Sequence, residues 1–299
     1  MNRGIWSAIG AYSMWGLIPV YFKWLGHVPA LQVIGHRILW SCLMLCAVLL
    51  FKREWRDFLK AALQPRIFRI YLAAALLIGI NWLIFVWAVN AGFIVETSLG
   101  YFINPLISVL MGVVLLGERL RRWQWPPIVL AALGVLYLTF ALGSLPWISL
   151  TLASTFALYG LIKKTAPLGP LNGLTLETGI LILPASGYLL YVEGVGQGAF
   201  LHTGAGYDVL LVLAGLVTAV PLLLFAAAAQ RIPLALLGVL QYIAPTLQFL
   251  LGVLVYQEAF THTQLIGYGL VWVALIIFGI EGYIAHRAPP GLVEQGGQG

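Results

Sequence analysis

Residues 100–118 read GYFINPLISVLMGVVLLGE, and residues 240–258 read LQYIAPTLQFLLGVLVYQE. The two stretches lie 140 residues apart, and in that frame Ile103 meets Ile243, Pro105 meets Pro245, Leu110 meets Leu250, Gly112 meets Gly252, Val113 meets Val253 and Glu118 meets Glu258. Each is an uncharged run closed by a glutamate. Each is about as long as the roughly 20 apolar residues that a helix needs to cross a bilayer. Each carries a proline, which cannot donate to the helical ladder. A membrane-crossing helix of one design therefore occurs twice in this chain.

The frame extends outward. The same offset pairs Phe85 with Phe225, Ala88 with Ala228, Asn90 with Gln230 and Arg37 with Glu177. Nearer the N-terminus it slips by one residue and pairs Trp6 with Trp147 and Lys23 with Lys164. Between these landmarks the charged residues are sparse. They make up 9% of the chain against 61% hydrophobic residues, where an ordinary soluble domain carries about 25% charge. So few charges cannot cover a solvent-facing surface, so the apolar surface faces lipid. The charges leave helices expected at 4–25, 31–51, 70–90, 98–117, 124–142, 146–163, 171–192, 208–229, 234–256 and 264–285. Gly143-Ser144-Leu145-Pro146 divides the longest uncharged run, as Gly and Pro do at turns. The first helix leads into Lys23 and Trp24 rather than a small-residue cleavage site, so it reads as retained.

With the N-terminus inside, every Lys and Arg except Lys23 and Arg37 falls in a segment on the inner side, as the positive-inside rule requires. The net charge of +6 is thereby topological, and no nucleic-acid partner is needed. Five helices per half is an odd number, so the second half enters the membrane the opposite way. The expected fold is an all-α polytopic membrane protein of ten transmembrane helices in two inverted five-helix repeats, residues 1–143 and 144–287. Both termini are expected on the cytoplasmic side, with a disordered tail at 288–299. Inverted repeats are a device of secondary transporters.

Several motifs resemble RarD-type proteins of the EamA family, in the drug/metabolite transporter superfamily. They are Asn81 to Asn90 (NWLIFVWAVN), Ser98 to Leu106 (SLGYFINPL) followed by Gly117-Glu118-Arg119, His36-Arg37 with Trp40-Ser41, Leu158 to Leu161 (LYGL), and Gln241 to Thr246 (QYIAPT). The resemblance runs from about Trp6 to Ala285. It implies two EamA repeats and a place in the bacterial plasma (inner) membrane. The chain departs from the family twice: Gln32 stands where an acidic residue is common, and Gln257 stands where Gly is usual before the glutamate.

Ionisable groups inside a span are costly and face the protein interior or water, which selects Arg37 and Glu177 as a gate pair or a substrate and proton site. Inversion sets them toward opposite faces, so a direct salt bridge between them is not expected. Helix-end anchoring is the plain alternative for both. Glu118 and Glu258 read as caps or loop contacts. Buried amides need partners, which brings in Asn81, Asn104, Gln241 and Gln248. Pro105 and Pro245, breaking equivalent helices, point to a central site, with a packing kink as the alternative. The mid-span aromatics Tyr12, Trp15, Trp40, Trp82, Tyr101, Tyr159 and Tyr242 complete the candidate path. They suit organic solutes, including cations, although packing accounts for any single one of them. Cys42 and Cys46 read as packing residues, and no metal or cofactor is expected.

The function expected is transport of a small organic solute, most simply export. No Walker-type phosphate loop is present, so a gradient must supply the energy, with protons a candidate coupling ion. A membrane enzyme is the weaker alternative, because the chain has no His-Glu-x-x-His and no Gly-x-Ser-x-Gly, and its aspartates, Asp57 and Asp208, lie outside the spans. A scaffold is weaker still, since no loop exceeds about 18 residues. The expected partners are the lipid bilayer and the small organic solute.

Overall fold

The computed structural model describes residues 2–141, 143, 146–257 and 261–287, which are helical apart from their connections, with no strand among them. The helices are α1 (Asn2–Trp24), α2 (Ala30–Phe51), α3 (Trp55–Ala62), α4 (Pro65–Asn90), α5 (Ile94–Leu116), α6 (Trp125–Ala141), α7 (Trp147–Thr165), α8 (Pro170–Gly194), α9 (Ala205–Ala229), α10 (Leu234–Gln241), α11 (Ile243–Leu250) and α12 (His262–Arg287). A π-helical turn at Leu251–Val255 continues α11, so α10, α11 and this turn form one rod.

Eight rods are long and apolar enough to cross a membrane: α2, α4, α5, α6, α8, α9, α10–α11 and α12. The remaining two long helices, α1 and α7, are richer in Gly, Ser, Thr, Trp and Tyr. Their place in the bundle explains that composition. α1 packs on α9 and on α10–α11, and α7 packs on α4 and α5, so protein rather than lipid surrounds much of each. Exchanging α1 with α7, α2 with α8, α4 with α9, α5 with α10–α11 and α6 with α12 maps these contacts onto one another. The pairs α2 with α8, α5 with α10 and α6 with α12 map onto themselves. Small residues allow the close crossings. A side chain at Gly215 of α9 would stand 2.6 Å from the backbone of Trp40 on α2, and Ser41 Oγ donates to the Gly215 carbonyl there at 2.9 Å.

The structure departs from the sequence expectation in three places. First, the segment between α2 and α4, expected as loop, holds α3, whose Phe58 and Ala62 are buried. α4 starts at Pro65 rather than residue 70, with proline in the first helical turn where its missing N–H is harmless. Second, of the equivalent spans that carry Pro105 and Pro245, only the latter is broken. α10 stops at Gln241, whose carbonyl Pro245 cannot serve, whereas α5 runs unbroken through Pro105. Pro105 leaves the Tyr101 carbonyl without its ladder donor, and one residue further on the Phe102 carbonyl also accepts the Tyr242 hydroxyl at 3.1 Å, which ties α5 to the α10–α11 break. Third, the equivalent spans end on different residues, Gly117 and Gln257, in one backbone conformation. Gly117 closes α5 at φ +65°, and Gln257 takes the same left-handed turn at φ +51°, a conformation that is unfavourable for a residue with a Cβ. The expected tail at 288–299, Ser144 and Leu145 of the Gly143–Pro146 break, and Glu258 lie outside the described residues.

Side-chain contacts define two ends of the bundle. At the end richer in Lys and Arg, here called the basic end, Gly4 abuts Arg231 and Ile232, Tyr71 bonds Leu168, and Lys164 donates to Ile232 O at 2.7 Å. At the opposite end, Tyr21 bonds the Leu210 carbonyl, Ser149 donates to Glu96 O at 2.6 Å and Trp87 lies 5.7 Å from Trp147. The Glu96 connection and the Arg231 turn are therefore at different ends.

Candidate functional site

Two groups of charged side chains, each with aromatic neighbours, lie among the helices. The first is near the basic end, where α7 turns into α8. Lys163 is in the last turn of α7 and Glu177 is two turns into α8. The short connection between the helices brings their side chains together, with Lys163 Nζ 2.7 Å from Glu177 Oε1. Tyr159, one turn before Lys163, donates to Glu177 Oε2 at 3.0 Å. The ion pair is almost fully enclosed, with side-chain exposures of 2% and 1%. The ammonium also lies 5.6 Å from the ring centroids of Tyr71 and Tyr159.

The surrounding chain is fastened. The Tyr71 hydroxyl donates to Leu168 O at 3.2 Å and accepts the Leu168 N–H at 3.0 Å, and Gln230 donates to Leu168 O at 2.9 Å. Beside it, the Glu118 carboxylate accepts the N–H groups of Leu234 at 2.6 Å and Ala235 at 2.8 Å. It thus caps α10, where a negative charge meets the positive end of the helix dipole. Lys164 stands 3.6 Å from Glu118. These ties join α4, α5, α7, α8, α9 and α10 across the basic end.

The second group surrounds Arg37, two turns into α2 from the opposite end. Its Nε donates to Thr218 Oγ1 on α9 at 2.8 Å. Its guanidinium carbon lies 4.8 Å from the Trp82 ring centroid on α4 and 5.2 Å from that of Phe22 on α1. Tyr101 on α5 lies 6.0 Å, ring to ring, from Phe85, one turn along α4 from Trp82. Arg37 is half-buried, and Tyr101 is 37% exposed though it lies in the second turn of α5. Among the described residues no carboxylate stands within 4.0 Å of Arg37. Arg37 and Glu177, equivalent in the 140-residue frame, are thus in opposite states: Glu177 is paired and sealed, and Arg37 has no counter-charge.

The other candidate residues tie helices together. Tyr12 is fully buried and donates to Leu237 O at 3.1 Å. Asn81 donates to Leu152 O and Thr155 Oγ1, both at 2.9 Å. Asn104 donates to Ala153 O at 3.1 Å and accepts from Ser108. Gln248 donates to Trp15 O at 3.1 Å. That last bond has a clear cause: Pro19, inside α1, lacks the N–H that would serve the Trp15 carbonyl four residues back. Gln241, Tyr242 and Pro245 are buried around the α10–α11 break. The Trp15 ring is 5.6 Å from both Phe156 and Phe225. Trp40 lies 5.9 Å from Phe200, and its buried Nε1 has no partner.

Sequence reasoning missed Lys163, taken as a flanking charge, and also Tyr71 and Phe225. Lys163 had a signal. It ends an uncharged run, and a short turn separates it from a helix that carries Glu177 in its second turn. Gln32 is also explained. Its Nε2 donates to Gln197 O at 2.7 Å and its Oε1 accepts the Ala199 N–H at 2.8 Å. An ionised carboxylate could perform only the second of these tasks.

Comparison with known proteins agrees with this architecture. Residues 2–140 match the EamA-like transporter family. A Vibrio cholerae protein named an uncharacterized transporter is 44% identical over 287 residues, covering 96% of this chain and 95% of that protein. A Streptomyces exfoliatus protein named RarD is 46% identical over 276 residues, covering 92% and 88%. The RarD protein of Escherichia coli is 41% identical over 287 residues, covering 96% and 97%. A crystal structure of another protein, 19% identical, superposes with a TM-score of 0.69 over 94% of this chain and 98% of that one, which speaks for the fold. Near-full-length identity at this level places the chain, with the RarD proteins, in the EamA-like transporter family.

Proposed function

We propose that the chain is a secondary transporter that exports a small organic solute across the bacterial plasma membrane by alternating access. Ten crossings in two inverted repeats, residues 1–143 and 144–287, would form the path, with both termini in the cytoplasm. The names of the relatives support transport, and the exchangeable helix contacts support the repeats. The placement of nearly all Lys and Arg at one end supports the orientation.

The observation that carries the reading is the contrast between two equivalent positions. Glu177 is locked to Lys163 beneath a fastened basic end, while Arg37 stands with an unpaired charge toward the other end. A transporter that alternates between two openings needs one end closed and a polar group reachable from the other. Opening the basic end requires the Lys163–Glu177 contact to part, and Glu177 is then the group placed to exchange a proton.

The test compares the solutes in the medium and cytoplasm of cells carrying wild-type chain, E177Q chain or none. The reading expects at least one solute to leave faster with wild type and at the background rate with E177Q. No difference between wild type and none, across the small organic solutes of the cell, overturns it. Efflux of that solute from proteoliposomes, if indifferent to an imposed pH gradient, removes protons as the coupling ion.

A further inference from the structure

The environment of Arg37 narrows the class of solute, taking the transport reading of the same site as given. The guanidinium has five N–H donors in a fixed planar fork. One of them, on Nε, is used by Thr218. Hydrogen bonds from the two terminal nitrogens to protein are absent among the described residues, and so is a carboxylate partner. The group sits where α1, α2, α4 and α9 converge, four helices drawn from both halves of the chain.

Trp82 and Phe22 hold the guanidinium through their ring faces. Those faces were the natural sites for a cationic solute, and Arg37 already occupies them. A solute cation would also meet an uncompensated positive charge at close range. With Nε engaged and the rings beside it, what stays available is the pair of terminal N–H groups, the arrangement that binds a carboxylate through two parallel hydrogen bonds. Among the described residues, the charges least exposed between the helices are Lys163 with Glu177, Lys164 beside Glu118, and Arg37, which has no opposite charge within 4.0 Å. The two pairs neutralise themselves, so an anionic solute beside Arg37 completes the balance.

The geometry points to a carboxylate-bearing organic solute, its carboxylate held by the Arg37 fork and its apolar part set against Trp82 and Tyr101. Lysine keeps the charge but not the fork, so it separates bidentate recognition from simple attraction. The test measures solutes exported from cells that carry wild type, R37K or R37Q, with equal amounts of folded protein in the membrane confirmed by size-exclusion chromatography in detergent. The solutes whose efflux depends on wild type should carry a carboxylate. R37Q should reduce their efflux about 30-fold or more, as loss of one partner of a desolvated charge pair does, and R37K should restore part of it. In a second arm, purified wild-type protein should be thermally stabilised by members of a series of aryl and alkyl carboxylates and not by the matching amides, with the difference absent in R37Q. Exported solutes that are neutral or cationic, or efflux unchanged in R37Q, overturn this inference and leave transport standing. Absence of any wild-type-dependent efflux overturns the transport reading itself, and this inference with it.

Discussion

Replacing Lys163 with methionine tests the closed end. The replacement keeps most of the side-chain volume and removes the ammonium. At 2.7 Å and an effective dielectric of about 20, the Coulomb attraction in the pair is roughly 6 kcal/mol. Desolvation of two charges that are 2% and 1% exposed offsets most of this, so the pair itself adds little net stability. Removing one member is different, because it strands the Glu177 carboxylate with only the Tyr159 hydroxyl, a loss of about 3–5 kcal/mol. K163M should therefore be destabilised by about that amount. K163M/E177Q, which strands no charge, should recover at least about 2 kcal/mol of it. The assay is reversible unfolding in mixed detergent micelles for wild type, both single variants and the double variant, read as a double-mutant cycle. Equal stability of K163M and wild type within about 0.5 kcal/mol, or additive losses in the double variant, would refute the reasoning, since either result means the pair is hydrated or unformed in the membrane.

Three further outcomes follow from particular bonds. Gln248→Leu leaves the Trp15 carbonyl without a donor and should lose about 1–3 kcal/mol in the same unfolding assay, whereas P19A/Q248L, which restores the backbone N–H, should recover most of it. Gln257→Gly relieves a left-handed residue and should raise stability by about 0.5–1 kcal/mol, while Gly117→Ala, with open space around its Cβ position, should lower it by about 1 kcal/mol. Gln32→Glu removes the donor to Gln197 O, so hydrogen exchange of the 195–204 connection should speed up several-fold with exchange elsewhere unchanged.

Much of the fold was legible because lipid enforces it. Uncharged runs bounded by charges, read with the alternation of Lys and Arg between successive connections, located every long helix to within about five residues, including α1 and α7, whose hydropathy alone does not select them. α3 escaped because a short amphipathic helix between two spans carries charges that look like loop. The unequal behaviour of Pro105 and Pro245 escaped because each proline frees one carbonyl, that of Tyr101 or Gln241, and the sequence does not show how the surrounding chain responds. The site was half legible. Arg37 and Glu177 stood out as charges inside spans, and the structure pairs Glu177 with Lys163 rather than with Arg37. Lys163 was hidden by its neighbour: a Lys-Lys pair at a helix end reads as two flanking charges, whereas the helix rotates Lys163 inward to Glu177 and Lys164 toward Ile232 and Glu118. For the amides and tyrosines, sequence shows that a partner is needed but not whether the partner is a solute or a helix carbonyl. Tyr12, Asn81, Asn104 and Tyr242 all found carbonyls.

The central claim, a basic end sealed by Lys163–Glu177 with the Arg37 region reached from the other side, is tested most directly by labelling a single cysteine at position 101. The background is C42S/C46S, the reagent is a membrane-impermeant maleimide, and labelling is compared between intact spheroplasts and inside-out vesicles. The account predicts rapid labelling of Y101C in spheroplasts and protection in vesicles, with labelling in vesicles gained when K163M is added. Equal labelling from both sides in the parent, or a pattern that K163M leaves unchanged, would contradict it.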